Sequence, residues 1–271
     1  MNRPLSVRRA GLAIVALVLS GMAAACSSSP GTPAASGSSS GPGSTPAVTG
    51  TVTVFAASSL KETFTSIAKR FEAAHPGTTV VLSFAASSAL ATQITSGAPA
   101  DVFASASAKD MATLTSAGAA TAPTTFATNS LTVVVPSANP AQIAGLADLA
   151  RAGVKVAQCQ AAVPCGVLAA KVLATAGLTV TPATLEPDVK SVLTKVRLGE
   201  VDAGLVYATD AVAAAGSVTA VPIPAGVNAT TAYPIAALSH AANPAGARAF
   251  VDAVVSAEGL AVLKAAGFGA P

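Results

Sequence analysis

The chain has 271 residues, of which 52% are hydrophobic and 10% are charged, and its formal net charge is +3. Arg3, Arg8 and Arg9 account for that charge, so the rest of the chain is close to neutral and has no basic run of the kind that binds nucleic acid. The sequence therefore predicts no nucleic-acid partner, and it is long enough after residue 50 for one large domain or two small ones.

The first 25 residues have the pattern of an export signal. A positive start is followed by the apolar run 11–20 and by three alanines at 23–25 that resemble a cleavage site. No later run reaches the roughly 20 apolar residues that span a bilayer. We therefore assign 1–25 as a signal peptide.

Cys26 stands directly after this signal, where bacterial lipoproteins carry their diacylglyceryl-modified cysteine, and the sequence resembles theirs. Ala23 departs from the pattern, since Leu is usual three positions before that Cys, so cleavage by an ordinary signal peptidase at the same bond stays open. Residues 26–49 are mostly Ser, Gly, Pro, Thr and Ala, a composition that predicts a flexible tether. We expect an extracytoplasmic protein that is anchored to the membrane through Cys26.

The next segments alternate short β-branched runs with runs of helical periodicity, in which Leu60, Phe64 and Ile67 are typical. This alternation favours an α/β fold with a mostly parallel, doubly wound sheet flanked by helices. In chain order the pattern predicts strand 51–56, helix 60–74, strand 79–84, helix 89–95 and strand 101–104.

A second α/β unit follows, bracketed by strands near Leu131 and Tyr233. Its pattern predicts strands at 130–135, 154–157, 203–207, 218–223 and 233–238, and helices at 166–176, 189–198, 210–215, 244–255 and 257–266. The bracketing strands predict two lobes joined by two crossing strands, with lobe I at 50–129 and 232–271 and lobe II at 130–231. Open α/β sheets bind ligands at the carboxyl ends of their strands, which here would face one cleft.

Small or hydroxylated residues stand at the junctions where predicted strands or loops lead into helices. Helix N-termini present unpaired N–H groups and the positive end of the helix dipole, so several of them at one cleft could bind an anion. Each junction could equally be an ordinary helix cap, and Ser59 with Glu62 has the spacing of a capping box. The junctions lie at 57–60, 85–88, 163–166, 187–190 and 205–210.

Several segments resemble signature segments of the molybdate-binding proteins of bacterial ABC transporters, in the same order and over residues 51–268. They are VFAASSL at 54–60, SFAASSAL at 83–90, GAPADVF at 97–103, and the later segments at 129–131, 163–166, 188–190, 204–211 and 233–235. The resemblance implies a two-lobed type II periplasmic binding protein fold and a monomer without enzymatic activity or cofactor. It implies molybdate or tungstate as the ligand, and an ABC importer's membrane permease as the partner.

The resemblance also implies the site. The hydroxyls of Ser59, Ser87 and Tyr207 and the backbone N–H groups of Cys165 and Val189 would hold the oxyanion, and no side chain would bind the metal itself. Cys165 departs from the family, which commonly has Ala there, but a contact through the backbone should tolerate a small side chain. A cage of donors should reject phosphate, which carries a proton, whereas sulfate differs from molybdate only in size. A binding protein of the same fold for sulfate or thiosulfate stays open.

A secreted serine hydrolase is the alternative of another class. The one Gly-x-Ser-x-Gly match, at 37–41, lies in the predicted tether without a strand before it or a helix after it. Neither His75 nor His240 has a partner at a spacing that suggests a triad. Metal-ion capture would require a cluster of His, Cys, Asp or Glu, and the sequence shows none.

With Cys26 assigned to lipid, Cys159 and Cys165 remain as an even pair outside the cytoplasm, where pairing is the usual outcome. We predict a disulfide between them that fixes the loop 160–164 and with it the Cys165 N–H. The alternative, a free thiol at Cys159 and a simple small-residue replacement at Cys165, stays open.

Overall fold

The computed structural model describes residues 48–271, so the predicted signal peptide, Cys26 and residues 26–47 of the predicted tether lie outside the described residues. No helix in the described part is long and apolar enough to cross a membrane. The strands are β1 (Gly50–Ala57), β2 (Thr78–Ala85), β3 (Val102–Ala104), β4 (Thr124–Pro136), β5 (Val156–Cys159), β6 (Thr184–Glu186), β7 (Ala203–Tyr207), β8 (Val218–Val221) and β9 (Thr230–Ala237). The α-helices are α1 (Lys61–Ala74), α2 (Ser87–Thr95), α3 (Ala108–Ser116), α4 (Pro164–Thr175), α5 (Val189–Arg197), α6 (Ala208–Ala213), α7 (Pro244–Val255) and α8 (Ala257–Ala265).

The strands form one continuous path in the order β2-β1-β3-β9-β4-β7-β5-β6, with β8 paired to β4. Pairing is parallel between β1 and its neighbours β2 and β3, and between β5 and its neighbours β6 and β7. It is antiparallel wherever β4 or β9 takes part. The sheet is thus parallel within two groups of strands and antiparallel where the chain passes between the groups.

Strand β4 joins the two groups. Its first part, Thr124–Ser130, pairs with β9, whereas Leu131–Pro136 pairs with β7 and β8. Since β9 runs back beside β4, the chain crosses between the groups twice, as the sequence pattern predicts. The predicted α/β class is confirmed; the boundaries of the lobes at 129/130 and 231/232 stay a prediction.

Several features of the fold were not predicted from the sequence pattern. Helix α3 is one of them, and Ser107 caps it by accepting from the Asp110 N–H. Strand β6 has three residues at the edge of the sheet. The first part of β4 has a weak hydrophobic pattern, and its extended conformation comes from pairing with β9.

Helix α1 buries one face against the sheet and α7. Phe64, Ile67 and Phe71 recur at helical spacing and are at most 3% exposed. The rings of Phe64 and Phe71 meet Phe250 of α7 edge to face, with centroids 6.0 and 5.4 Å apart. Burial of each such ring stabilises the fold by about 1.5–3 kcal/mol, so the start of α1 is held firmly at the end of β1.

Candidate functional site

A small cavity lies where the carboxyl ends of β1, β2 and β7 meet the N-termini of α4 and α5. The space open to the centre of a water molecule is about 10 Å³, roughly what a single water requires. No Lys or Arg of the described chain borders it, and neither His75 nor His240 does. The predicted site residues all border it: Ser59, Ser87, Cys165, Val189 and Tyr207. The remaining border is formed by Ala57, Ser58, Ala85, Ala86, Ala106, Pro164 and Asp188.

Ser59 lies in a 3-10 turn, Ser58–Leu60, between β1 and α1. The N-cap of α1 is Leu60, and no side chain caps the helix. The Ser59 hydroxyl instead forms a hydrogen bond of 2.9 Å with the Tyr233 hydroxyl, and Glu62 pairs with Lys190. The capping-box interpretation of Ser59 and Glu62 is therefore wrong, and both side chains are used in tertiary contacts.

Ser87 is the first residue of α2 and is 1% exposed. Its hydroxyl oxygen accepts a hydrogen bond of 2.9 Å from the Ala106 N–H, which belongs to the loop after β3. Ala86 is the N-cap of α2, and no side chain caps this helix either. A hydroxyl that accepts from an N–H keeps its own proton for a second partner, so Ser87 can donate into the cavity.

Two residues at helix N-termini, Cys165 and Val189, border the cavity from the other side. Val189 is the first residue of α5 and Cys165 the second residue of α4, positions whose N–H groups have no acceptor within the helix. Among the described residues no backbone or side-chain acceptor pairs with either group. Asp188 also borders the cavity, but its carboxylate accepts from the N–H groups of Lys190 and Ser191 and caps α5.

Tyr207 ends β7 and is 2% exposed. Among the described residues no group forms a hydrogen bond with its hydroxyl, although the oxygen is buried. Burial raises the pKa of Tyr207 well above its usual value, and the neighbouring Tyr233 adds to this effect. The hydroxyl therefore keeps its proton and is available as a donor at the cavity.

Lys190 joins the two sides of the cavity. Its ammonium group lies 2.8 Å from a carboxylate oxygen of Glu62 in α1 and 2.9 Å from one of Asp210 in α6. Burial opposes the charge of Lys190, but the two carboxylates raise its pKa overall. Asp210 is fully buried, and desolvation raises its pKa to about 6 although Lys190 acts in the opposite direction.

We expect the free energy of unfolding of the wild type, relative to that of Asp210→Asn, to rise as pH falls from 7 to 4. The folded pKa of Asp210, about 6, is above its usual 3.8, so the folded state binds this proton more tightly within that window. The unfavourable buried charge is fully present above pH 6 and is relieved as pH falls. Urea unfolding of both proteins at several pH values measures this difference in the free energy of unfolding. The contributions of titrating groups that both proteins share cancel in the difference. A difference that falls with falling pH contradicts the assignment.

The structure contains a disulfide between Cys159, at the end of β5, and Cys165, with their Cα atoms 5.8 Å apart. Both residues are buried. Gly166 packs against the same loop, because a Cβ there would lie 1.9 Å from the carbonyl oxygen of Gln160. The loop that leads to the Cys165 N–H is thus held by a covalent bond and by close backbone packing.

Replacing both Cys159 and Cys165 by alanine should lower the free energy of unfolding by about 2 kcal/mol, since the bond closes only a short loop. Urea unfolding of the variant and the oxidised wild type measures the change. Reduced wild type is the matched control and should unfold at nearly the same urea concentration as the variant. Identical midpoints for the variant and the oxidised wild type would show that the bond does not stabilise the fold.

Sequence reasoning gave no role to three residues at this site. Asn129 and Tyr233 lie in segments that carry the resemblance, but their contacts join positions 80 to 174 residues apart in the chain. Gly166 also lies in such a segment, and only the folded loop shows why a side chain cannot stand there. Within residues 48–271, no group of three or more His, Cys, Asp or Glu could hold a metal ion.

Comparison with known proteins adds a family and several relatives. The family described as bacterial extracellular solute-binding protein matches residues 52–269. The molybdate-binding protein ModA of Mycobacterium tuberculosis H37Rv is 43% identical over 221 residues, which cover 81% of this chain and 85% of that protein. ModA of Escherichia coli K12 is 34% identical over 231 residues, which cover 81% of this chain and 89% of that protein.

Among solved structures, the periplasmic molybdate-binding protein of Azotobacter vinelandii superposes with a TM-score of 0.72 at 26% identity. The superposition covers 81% of this chain and 99% of that one. This likeness confirms the predicted two-lobed architecture.

Proposed function

The chain belongs to the bacterial extracellular solute-binding proteins, and on that premise we propose that it captures molybdate in the cavity between its lobes and delivers it to an ABC importer. It is a binding protein, not an enzyme. The ligand is held by Ser59, Ser87, Cys165, Val189 and Tyr207, all of which border that cavity.

The observation that carries the proposal is that five residues able to donate hydrogen bonds border one small cavity, which no Lys or Arg of the described residues borders. Transfer of a dianion out of water is very unfavourable unless its oxygens find partners. Each hydrogen bond to a charged group contributes about 1.5–3 kcal/mol, so a ring of neutral donors supplies strong binding. The helix N-termini of α4 and α5 add the positive ends of their dipoles.

The same ring of donors determines which anions can bind, because it favours anions that carry no proton. Molybdate and tungstate carry no proton at neutral pH, and they are nearly equal in size, so we propose that both bind. Phosphate carries at least one proton at that pH, and its O–H would face donors instead of an acceptor. Sulfate has no proton, so only its smaller radius discriminates against it.

Calorimetric titration of the purified protein with molybdate, tungstate, sulfate and phosphate tests the proposal. We expect one molybdate or tungstate per protein, weaker binding of sulfate, and the weakest binding of phosphate. Sulfate bound more tightly than molybdate would favour the alternative, a sulfate carrier of the same fold. An absence of binding for all four anions would contradict both.

We further propose that the protein acts as a monomer outside the cytoplasm and is anchored to the membrane through a lipid on Cys26. A tether of Ser, Gly and Pro directly behind a lipidated cysteine would let the folded part reach the permease. Mass spectrometry of the protein isolated from membranes tests the anchor, since a diacylglyceryl group adds a defined mass to the peptide that begins at Cys26.

A further inference from the structure

A chain of buried hydrogen bonds lies behind Ser59. It begins at Asn129, whose side-chain oxygen accepts from the Ser130 N–H at 3.0 Å. That contact fixes the orientation of the amide, because an oxygen and not an NH₂ group must face a backbone donor. The Asn129 NH₂ group therefore points the other way, where it donates to the Thr209 hydroxyl at 2.8 Å and to the Tyr233 hydroxyl at 3.4 Å.

The direction continues through Tyr233. Its oxygen accepts from Asn129, and the Ser59 oxygen lies 2.9 Å away, a distance at which either hydroxyl can donate; we assign the Tyr233 proton to this bond. Tyr233 is fully buried, and burial raises the pKa of its hydroxyl, so this proton stays in place. With a lone pair of the Ser59 oxygen occupied by Tyr233, the Ser59 proton is directed away from Tyr233 and is available to an occupant of the cavity.

The Ser87 hydroxyl is also left to donate, because its oxygen accepts a hydrogen bond from the Ala106 N–H. Ser59 and Ser87, two of the three serines that border the cavity, are thus held as donors by groups behind them. We propose that Tyr233, oriented by Asn129, is a specificity-determining positioning residue that fixes Ser59 as a donor and so excludes oxyanions that carry a proton. This inference rests on the proposed function and names the residue that enforces its anion class.

The packing of Tyr233 allows a clean test. Its ring meets those of Phe126, Tyr207 and Phe268 edge to face, with centroids 5.3 to 6.3 Å apart. Tyr233→Phe keeps these ring contacts and removes only the hydroxyl. In that variant the Ser59 oxygen loses its donor from behind and can accept the O–H of a protonated anion.

Sulfate and hydrogen phosphate are the matched probes, because at pH 8 both are small tetrahedral dianions and only phosphate carries a proton. We expect Tyr233→Phe to raise the affinity for phosphate relative to sulfate by about tenfold over the wild type, while molybdate binding is retained. Thr209→Val is the matched control, since it removes another buried hydroxyl that bonds to Asn129 and that forms no hydrogen bond with Ser59 in the described part of the chain. Its ratio of phosphate to sulfate affinity should equal that of the wild type.

The outcomes separate this inference from the proposed function. A wild type that binds molybdate, with an unchanged phosphate-to-sulfate ratio in Tyr233→Phe, overturns the inference alone. An equal shift in Thr209→Val also overturns it, because general loosening of the network would then explain the effect. A wild type that binds no molybdate contradicts the proposed function and the inference with it.

Discussion

Gly166→Ala is expected to destabilise the fold by about 3 kcal/mol or more and to impair anion binding. The added Cβ would lie 1.9 Å from the Gln160 oxygen and 2.9 Å from the Cys159 oxygen, which are backbone atoms that cannot rotate away. The disulfide from Cys159 to Cys165 further restricts the loop. Overpacking of this kind costs about 1–3 kcal/mol where neighbours can adjust, and here they are fixed.

Urea unfolding and molybdate titration of the variant measure both effects. Gly226→Ala is the matched control, because a Cβ at Gly226 has no neighbour within 4 Å and its φ is not positive. That control should change the free energy of unfolding by less than about 1 kcal/mol. Equal stability of the two variants would show that the loop moves freely and does not position the Cys165 N–H.

Val189→Pro is expected to weaken molybdate binding by about 10- to 150-fold, because it removes a single proposed donor to the anion. Val189 is the first residue of α5, where proline is well tolerated. Asp188 before it is already extended, at φ −157° and ψ 170°, as a residue before proline prefers. The cap of α5 also survives, since Asp188 accepts from Lys190 and Ser191 and not from Val189.

Val189→Ala is the control, because it shortens the same buried side chain and keeps the N–H. Any loss of packing is shared in part by the two variants, so the ratio of their dissociation constants isolates the donor. Circular dichroism confirms that both are folded. Equal affinities of the proline and alanine variants would remove Val189 from the site.

The sequence predicts where the site residues stand in the fold better than it predicts their hydrogen bonds. Ser59 and Ser87 stand at strand-to-helix junctions, which local pattern alone identifies, yet capping explains a serine there equally well. Only the fold decides between the two, because the partners of these serines are Tyr233 and the Ala106 N–H, and neither is near in sequence to the serine it contacts.

The resemblance supplied what periodicity could not, namely which residues of both lobes would meet one ligand. All of them border the cavity, but their role as ligands stays a prediction until an anion is seen there. The sequence pattern did not predict β6 or the start of β4, because the conformation of these segments depends on strand pairing and not on local hydrophobicity.

A crystal structure of the protein with bound molybdate, phased or checked by anomalous scattering from molybdenum, tests the central claim most directly. We expect a single molybdenum peak in the cavity, with its oxygens at hydrogen-bonding distance, about 2.7–3.2 Å, from the donors of both lobes. They are the hydroxyls of Ser59, Ser87 and Tyr207 and the N–H groups of Cys165 and Val189. A peak elsewhere, or no peak in the cavity at saturating molybdate, would contradict the account.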